Sequence, residues 1–268
     1  MSMRYGFVIP GGDVQDVVEH AAEAEAAGWD AVFTYDADWS LSPWVTLAAM
    51  AVRTSRIRLG AMLHPLPWRR PWLFARDAAT LDRLSGGRLV LPIGLGAVSD
   101  EELQRGTTKA GEPTDRRLRA RRMDEALEIV TALWRGEPVT FRGEHYDLEE
   151  FRLEVAPVQA PRVPIWVVGI WPRRRSMQRA MRYDGLLVGV DSPTELAEVT
   201  DSVRSARSED GPFDIVVEGS TPGEDRDLAA MTVRQWAGAG ATWWMETMWQ
   251  APNGPAEVRA RIGQGSPR

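Results

Sequence analysis

The sequence predicts a TIM (β/α)8 barrel with an insertion after its fourth strand. Three observations support this fold class: short apolar runs alternate with amphipathic helical patterns, eight such runs occur in 268 residues, and the alternation is interrupted only once. Alternating strands and helices are typical of a parallel sheet. Eight repeats favour a closed barrel over a doubly wound sheet, which usually has fewer strands. We therefore expect one domain over residues 1–268, with the insertion at about 97–160.

Eight apolar runs supply the predicted barrel strands. In chain order they are YGFVIP, AVFTYD, IRLGAML, GRLVLPIG, VPIWVVGI, DGLLVGV, FDIVVEG and TWWMETMW. Helices are predicted between the strands from capping signals. Asp13 can cap the first helix, Ser42 followed by Pro43 begins the second, and Pro71 begins a third that runs to Leu84.

The predicted insertion follows the fourth strand. It opens with a polar stretch, 97–113, and continues with a long amphipathic helix from about Thr114. Two β-rich segments around Gly143 then predict a strand pair. Regular units resume at Val163, and a last helix is predicted from Pro255 to Ile262. The extra segment therefore interrupts one barrel rather than separating two domains.

The composition limits the classes of function. A formal net charge of −6 argues against nucleic acid or anionic lipid as a partner, so a small molecule is expected. The chain has no cysteine, which excludes disulfides and thiolate catalysis and leaves redox chemistry to a bound cofactor. No apolar run has the length of a signal peptide or of a membrane span, about 20 residues, so a cytoplasmic location is expected.

Chemistry in a TIM barrel occurs at the carboxyl ends of the strands, which makes the residues there the candidates for function. In this sequence those residues are Asp36, Asp38, His64, Gly94, Gly96, Gly169, Arg173, Arg174, Arg175, Asp191, Glu218 and Glu246. Glycines at the mouth would let a ligand approach the backbone. Asp36, Asp38, His64 or Glu246 could move a proton, and His64 is the first choice because its ordinary pKa lies near neutrality.

Each candidate also has a structural explanation. Asp36 could cap a helix or hold a turn, and His64 beside Pro65 could do the same. The arginine run 173–175 could be a solvated helix start, although arginines at a helix amino end also suit an anion. Glu246 is harder to dismiss, because a carboxylate in an apolar strand is costly to bury unless it is paired or faces the mouth.

Several segments resemble one known family in their order and spacing. The segments are LAAMAVRTSRIRLGAML, RRPWLFARDAATLDRLSGGRLVLPIGLG, RMDEALEIVTALWRGEPVTFRGEHYDLE, PVQAPRVPIWVVG and AMRYDGLLVG. From Tyr5 to Val190 the sequence resembles the luciferase-like flavin-dependent oxidoreductases, which include bacterial-luciferase-type monooxygenases and enzymes that use the deazaflavin coenzyme F420. The resemblance weakens after Val190, although the strand and helix pattern continues.

The resemblance implies a barrel that holds FMN or reduced deazaflavin at its carboxyl face, often as a homodimer. It also implies a non-proline cis peptide at about Met62 and Leu63, in a bulge that backs the cofactor ring. The family's phosphate site would fall on Gly169 and on the segment from Pro172 to Ser176, which includes Arg173, Arg174 and Arg175. Gly94 and Gly96 match the family's turn after the fourth strand.

Two positions depart from the family pattern. Many deazaflavin enzymes carry Asp-His after the second strand, whereas this sequence has Ala37 at the histidine position. The loop after the fifth strand is usually rich in small residues, but here it contains the bulky Ile170 and Trp171. These departures affect the expected acid–base group and the expected phosphate site, while the fold prediction stands.

The leading hypothesis is an F420- or FMN-dependent oxidoreductase that performs hydride transfer or monooxygenation on a small organic substrate. A second hypothesis is a barrel that has lost its chemistry and serves as a binding or partner subunit, which the two departures would suit. A third is a non-redox hydrolase or lyase that uses the ring of carboxylates, with or without a metal. Tight metal-ligand patterns are missing from the sequence, so we expect no metal site.

Overall fold

The computed structural model describes residues 3–37, 39–97, 99, 101, 104, 106, 108–207, 211–251 and 254–268. Its strands are β1 Arg4–Val8, β2 Ala31–Thr34, β3 Arg58–Ala61, β4 His64–Pro65, β5 Leu91–Gly94, β6 Val139–Arg142, β7 Asp147–Phe151, β8 Ile165–Gly169, β9 Gly185–Val188, β10 Asp214–Gly219 and β11 Trp243–Thr247. Its α-helices are α1 Val14–Ala26, α2 Pro43–Arg53, α3 Pro71–Ser85, α4 Arg116–Leu133, α5 Arg174–Ala180, α6 Pro193–Ala206, α7 Arg226–Gly238 and α8 Pro255–Gly263.

Parallel strands form a nearly closed barrel in the order β3-β2-β1-β11-β10-β9-β8-β5-β4. Nine strands correspond to the eight predicted ones because a bulge at 62–63 divides the third into β3 and β4. The second part pairs with β5 through His64 and Ile93, and a parallel bridge between Leu59 and Leu89 joins the first part to the approach to β5. The predicted TIM-type barrel is therefore confirmed.

Alternate strand residues divide between two apolar clusters. One cluster fills the barrel interior, and its largest side chains are Phe33, Trp166 and Trp243. The other cluster lies between the sheet and the surrounding helices. Successive side chains of a strand point to opposite faces of the sheet, so a strand buried on both faces contributes to both clusters. Because side chains fill the barrel interior, a ligand of the barrel would bind at one of its ends rather than inside it.

The predicted helix starts are found in the structure. Asp13 caps α1 by accepting a hydrogen bond from the backbone N–H of Gln15, and Pro43 and Pro71 occupy the first turns of α2 and α3. The long helix begins two residues later than predicted because Asp115 caps it, accepting from the N–H of Leu118. Short polar side chains at these positions satisfy backbone donors that a helix leaves free.

The segment between β5 and β8 contains α4 and the antiparallel pair β6 and β7. The pair confirms the strands predicted around Gly143. Helix α4 packs against α3 and buries Met123, Leu127 and Val130, as a barrel helix does. The additional structure in this region is therefore the β6–β7 pair with its flanking loops. Among the described residues, no helix combines the length and apolarity needed to cross a membrane.

Candidate functional site

A cavity of about 660 Å³ opens at the carboxyl ends of the strands, and we call it the mouth cavity. Its volume is within the usual range for small-molecule sites. Four aromatic side chains line it: Tyr35, Trp39, Trp68 and Trp249. The carboxylates on its walls are those of Asp36, Glu101 and Glu218. The remaining lining residues are Pro10, Ala37, Met62, Leu63, Gly96 and Ala97. The predicted strand-end residues Asp36, Met62, Leu63 and Gly96 therefore do share one site.

The bulge between β3 and β4 forms one wall of the mouth cavity. The peptide bond between Met62 and Leu63 is cis, at the position that the resemblance implied. The N–H of Met62 donates to the carbonyl oxygen of Thr34, which ties the bulge to the adjacent strand β2. Met62 is 6% exposed and joins the barrel interior. This wall is thus apolar and firmly attached to the sheet.

The two glycines after β5 make room for side chains of the protein itself. A Cβ atom on Gly94 would lie 2.8 Å from Cδ1 of Leu63, and one on Gly96 would lie 2.4 Å from the indole of Trp68. Gly96 also has a φ of +80°, which other residues rarely adopt. The space beside both glycines holds Leu63 and Trp68, which line the cavity. Gly96 itself also lines the cavity, whereas Gly94 lies outside the lining.

Asp36 lies in the cavity wall and is held from two sides. Nη2 of Arg69 donates to its Oδ1 at 2.7 Å, and Nδ1 of His64 lies 3.1 Å from its Oδ2. The His64 ring is fully buried, stacks on Trp44 with centroids 4.8 Å apart, and meets the edge of Phe74. The structure thus places His64 behind Asp36, in the helix layer and outside the cavity lining. Arg69 has a role here that the sequence analysis missed.

Glu218 lies at the end of β10, on the side of the mouth opposite the bulge. Four steps in the strand order separate β3 from β10, which is half of the circumference of an eight-stranded barrel. Nε1 of Trp249 donates to its Oε2 at 3.3 Å. Neighbouring protein atoms keep water from part of this carboxyl group, and this desolvation raises its pKa above the ordinary value. The hydrogen bond from Trp249 acts in the opposite direction. The side chain nevertheless stays open to the cavity.

The loop after β8 carries the arginine run. The side chains of Arg173, Arg174 and Arg175 are exposed, and within the described chain no ion pair or hydrogen bond involves their guanidinium groups. Oγ of Ser176 accepts from the N–H of Ile170 at 3.0 Å, so this hydroxyl fixes the loop. A Cβ on Gly169 would meet Leu186 and Met177, which shows that this glycine serves helix packing.

Glu246 points away from the mouth cavity. Its side chain is fully buried between the barrel and α8, where Thr221 donates to it from both its N–H and its hydroxyl, at 2.7 and 2.8 Å. Nε1 of Trp244 donates at 2.9 Å, and Nε of Arg261 lies 3.4 Å away. The choice of Glu246 for proton transfer at the mouth is corrected for this reason. Alternation along β11 directs it outward, while Trp243 and Met245 fill the barrel.

Asp38, one of the candidates for proton transfer, lies outside the described residues. In the part of the chain that the structure describes, Glu125, Glu144 and His145 form a group of possible metal ligands. The group lies on α4 and in the β6–β7 turn, outside the lining of the mouth cavity. The carboxylate of Glu125 there accepts hydrogen bonds from the backbone N–H groups of 144–146, so it holds the β6–β7 turn. That use of the carboxylate explains the cluster.

Comparison with known proteins relates this geometry to one family. The luciferase-like monooxygenase family matches residues 3–264. An uncharacterized protein of Mycobacterium tuberculosis is 30% identical over 242 residues, which cover 80% of this chain and 80% of that protein. The match therefore extends over nearly the whole barrel, including the segment after Val190 where the resemblance had weakened.

Two solved structures share the fold over almost the full length. The coenzyme F420-dependent tetrahydromethanopterin reductase of Methanopyrus kandleri superposes with a TM-score of 0.82, 16% identity, and 99% coverage of both chains. The oxygenating constituent of 3,6-diketocamphane monooxygenase of Pseudomonas putida, a type II Baeyer–Villiger enzyme in complex with FMN, has a TM-score of 0.76 and 17% identity, covering 98% of this chain and 96% of that one. At these identities the likeness establishes the fold.

Proposed function

Because the chain belongs to the luciferase-like monooxygenase family, we propose that it is an oxidoreductase that binds reduced F420 or FMN in the mouth cavity. The reaction proposed is hydride transfer to, or monooxygenation of, a small organic substrate. One structural neighbour is named for its dependence on F420 and another was solved with FMN, which supports this pair of cofactors. The single observation that carries the proposal is the cavity of about 660 Å³ between the cis bulge and the aromatic walls.

The residues of the cavity fit a flat, largely apolar ring system. Met62 and Leu63 would back one face of the ring, and Trp68, brought in by Gly96, would border it. Aromatic and aliphatic walls of this kind bury planar ligands and exclude water. The bound cofactor would supply the electrons of the reaction. The part left to the protein is to orient the ligands and to manage protons.

The free guanidinium groups of Arg173, Arg174 and Arg175 are proposed to bind the anionic tail of the cofactor. Arginine suits phosphate because its planar group can donate two parallel hydrogen bonds. The three side chains have no competing acid in the described part of the chain, so an incoming anion would displace no ion pair. The bulky Ile170 and Trp171 would replace the small residues of other family members beside this tail.

Asp36 is proposed to be the fixed carboxylate of the cavity. Arg69 and His64 hold both of its oxygens, and its side chain is only 1% exposed. A carboxylate held in this way accepts a hydrogen bond in one direction without reorganisation. His64 would act through Asp36 as a positioning residue, since it does not line the cavity. Ala37 leaves the position next to Asp36 without a titratable group.

We also propose that the protein forms a homodimer through α2. Val45 and Val52 are 67% and 68% exposed, and their separation of seven residues places them on one face of that helix. Exposed apolar surface of this kind is typical of protein interfaces. Sedimentation equilibrium would test this proposal, because Val45→Glu with Val52→Glu should shift a dimer to the monomer mass.

The test of the main proposal is a titration of the purified protein with FMN, reduced FMN and F420 in both redox states. Trp39, Trp68 and Trp249 line the cavity, so their fluorescence should report binding. Saturable quenching by one cofactor, absent in a variant whose cavity is blocked by Ala37→Trp, supports the oxidoreductase. Failure of all four ligands with folded protein would favour a barrel that has lost its chemistry.

A further inference from the structure

Tyr35, Glu218 and Trp249 form a connected aromatic and acidic group along the cavity from the end of β2 to the end of β10, and we call this group the far wall. The rings of Tyr35 and Trp249 meet edge to face with centroids 6.3 Å apart, and the indole N–H of Trp249 donates to Glu218. Trp249 is 48% exposed and lines the mouth cavity, so its indole is accessible to a ligand there.

The described residues that line the cavity include acids and no basic side chain. The acids are Asp36, Glu101 and Glu218. The guanidinium group of Arg69 forms an ion pair with Asp36 and offsets its charge. No ion pair in the described chain reaches Glu218, whose Oε1 has no hydrogen bond there either. Within the described part of the chain, the far wall therefore has an acidic group that no paired cation offsets, which favours a negative potential.

Aromatic faces and an unpaired carboxylate favour the same kind of ligand. The electron-rich faces of Tyr and Trp attract cations, and low-dielectric walls concentrate the field of a carboxylate. An anion would face both the quadrupoles and the charge of Glu218. The flat rings also favour a planar ligand, because stacking buries the most apolar area.

We propose that the far wall selects a substrate whose planar group is a cation, such as an N-alkylated heteroaromatic ring, and excludes carboxylates and phosphates. This inference rests on the proposed function, since the far wall lines the same cavity as the bulge at which the cofactor ring is proposed to lie. Glu218 is the residue that decides the charge of the ligand, and Trp249 provides the surface on which the ligand stacks.

The test compares three bicyclic probes of similar size by calorimetry at about pH 8, well above the ordinary pKa of a glutamate side chain. The probes are N-methylquinolinium as the cation, quinoline as the neutral ring and 2-naphthoate as the anion. We expect the cation to bind about tenfold more tightly than quinoline, and 2-naphthoate to bind more weakly than both. Equal affinity for the cation and the anion, or tighter binding of the anion, would overturn the proposal.

Matched variants separate charge from shape. Glu218→Gln keeps the size of the side chain and should abolish the preference for the cation while quinoline still binds. Glu224→Gln makes the same change of charge on the exposed loop that follows β10, outside the cavity, and should leave the preference intact. Trp249→Leu should weaken all three probes. A preference for the cation that persists in Glu218→Gln would contradict the role of Glu218.

The probe experiment does not depend on turnover, so its outcome is distinguishable from that of the cofactor titration. Cofactor binding with no charge preference among the probes would leave the oxidoreductase standing and remove the inference about the substrate. Loss of cofactor binding with the charge preference retained would do the reverse. Circular dichroism of each variant would establish that the barrel is folded.

Discussion

Arg69 donates a hydrogen bond of 2.7 Å to Asp36, whose other oxygen lies 3.1 Å from the buried ring of His64. Residues from β4 and from the segment before α3 thus converge on one carboxylate at the end of β2. The carboxylate of Asp36 is thereby held in one orientation beside Ala37, at the wall of the cavity. Its energetic consequences can be measured independently of any substrate.

Asp36→Asn is expected to lower the free energy of unfolding by about 1–3 kcal/mol, because Arg69 and His64 lose the charge that both contact. Arg69→Gln should cost less, since the Arg69 side chain is 36% exposed and water can replace it in part. Urea unfolding at neutral pH checks both values. The same loss for both variants would show that the contact with His64 contributes nothing.

Gly96→Ala is expected to distort the cavity wall and to weaken cofactor binding. The new Cβ would lie 2.4 Å from the Trp68 ring, on a residue with a φ of +80°. Gly86→Ala is the matched control, because Gly86 also has a positive φ, +67°, but no heavy atom within 4 Å of the added Cβ. Both variants should lose about 1–2 kcal/mol of stability from backbone strain.

Only the Gly96 variant should change the fluorescence of the cavity tryptophans and lower the affinity for FMN or F420. Equal affinities in the two variants would show that the position of Trp68 has no influence on the ligand.

Glu246→Gln is expected to destabilise the protein by roughly 3 kcal/mol, because Arg261 would keep its charge in the interior without an acidic partner. Glu218→Gln, on the open side of the barrel, should change stability by less than about 0.5 kcal/mol. Thermal or denaturant unfolding of the two variants measures the contrast. Loss of cofactor chemistry in a Glu246→Gln protein of normal stability would contradict the structural role.

Glu25 is expected to make the protein less stable in acid. Burial opposes its ionisation, but hydrogen bonds from the backbone N–H groups of Ile57, Arg56 and Ser55 prevail and lower its pKa to about 2. Because the folded pKa lies below the unfolded one, about 4.5, the stabilisation is complete above the unfolded value and is lost as the pH falls through 4.5 toward 2.

After allowance for solvent screening, we expect a contribution of roughly 1–2 kcal/mol. Stability measured against pH in wild type and Glu25→Gln should differ at neutral pH and converge in acid. Parallel curves down to about pH 2 would refute this assignment.

Replacement of Arg173, Arg174 and Arg175 by Gln is expected to preserve the fold, since these side chains are exposed and without partners in the described chain. Affinity for FMN or F420 should fall about tenfold or more, and it should depend less on salt because fewer charges bind the anion. Titrations at two salt concentrations test this. Arg204→Gln, on an exposed face of α6, is the control and should bind as wild type does.

Local pattern in the sequence determined the barrel. Apolar runs of strand length, capping residues such as Asp13 and Pro71, and the Gly-Gly stop at 86–87 are local signals, and they placed the elements to within a few residues. The position of the cis peptide at Met62 and Leu63 followed from resemblance to a family, because no local rule requires it.

Which strand-end residues share a site was decided by tertiary structure. Sequence order places Glu246 at a strand end as plainly as Asp36, yet alternation on β11 directs Glu246 into the helix layer while Asp36 lines the cavity. Gly94 and Gly96 suggested open space, but Leu63 and Trp68 occupy it. The contact of Arg69 with Asp36 and that of Trp249 with Glu218 became visible only when distant segments met. Side-chain direction and contacts between distant segments depend on packing, which no single stretch of sequence contains.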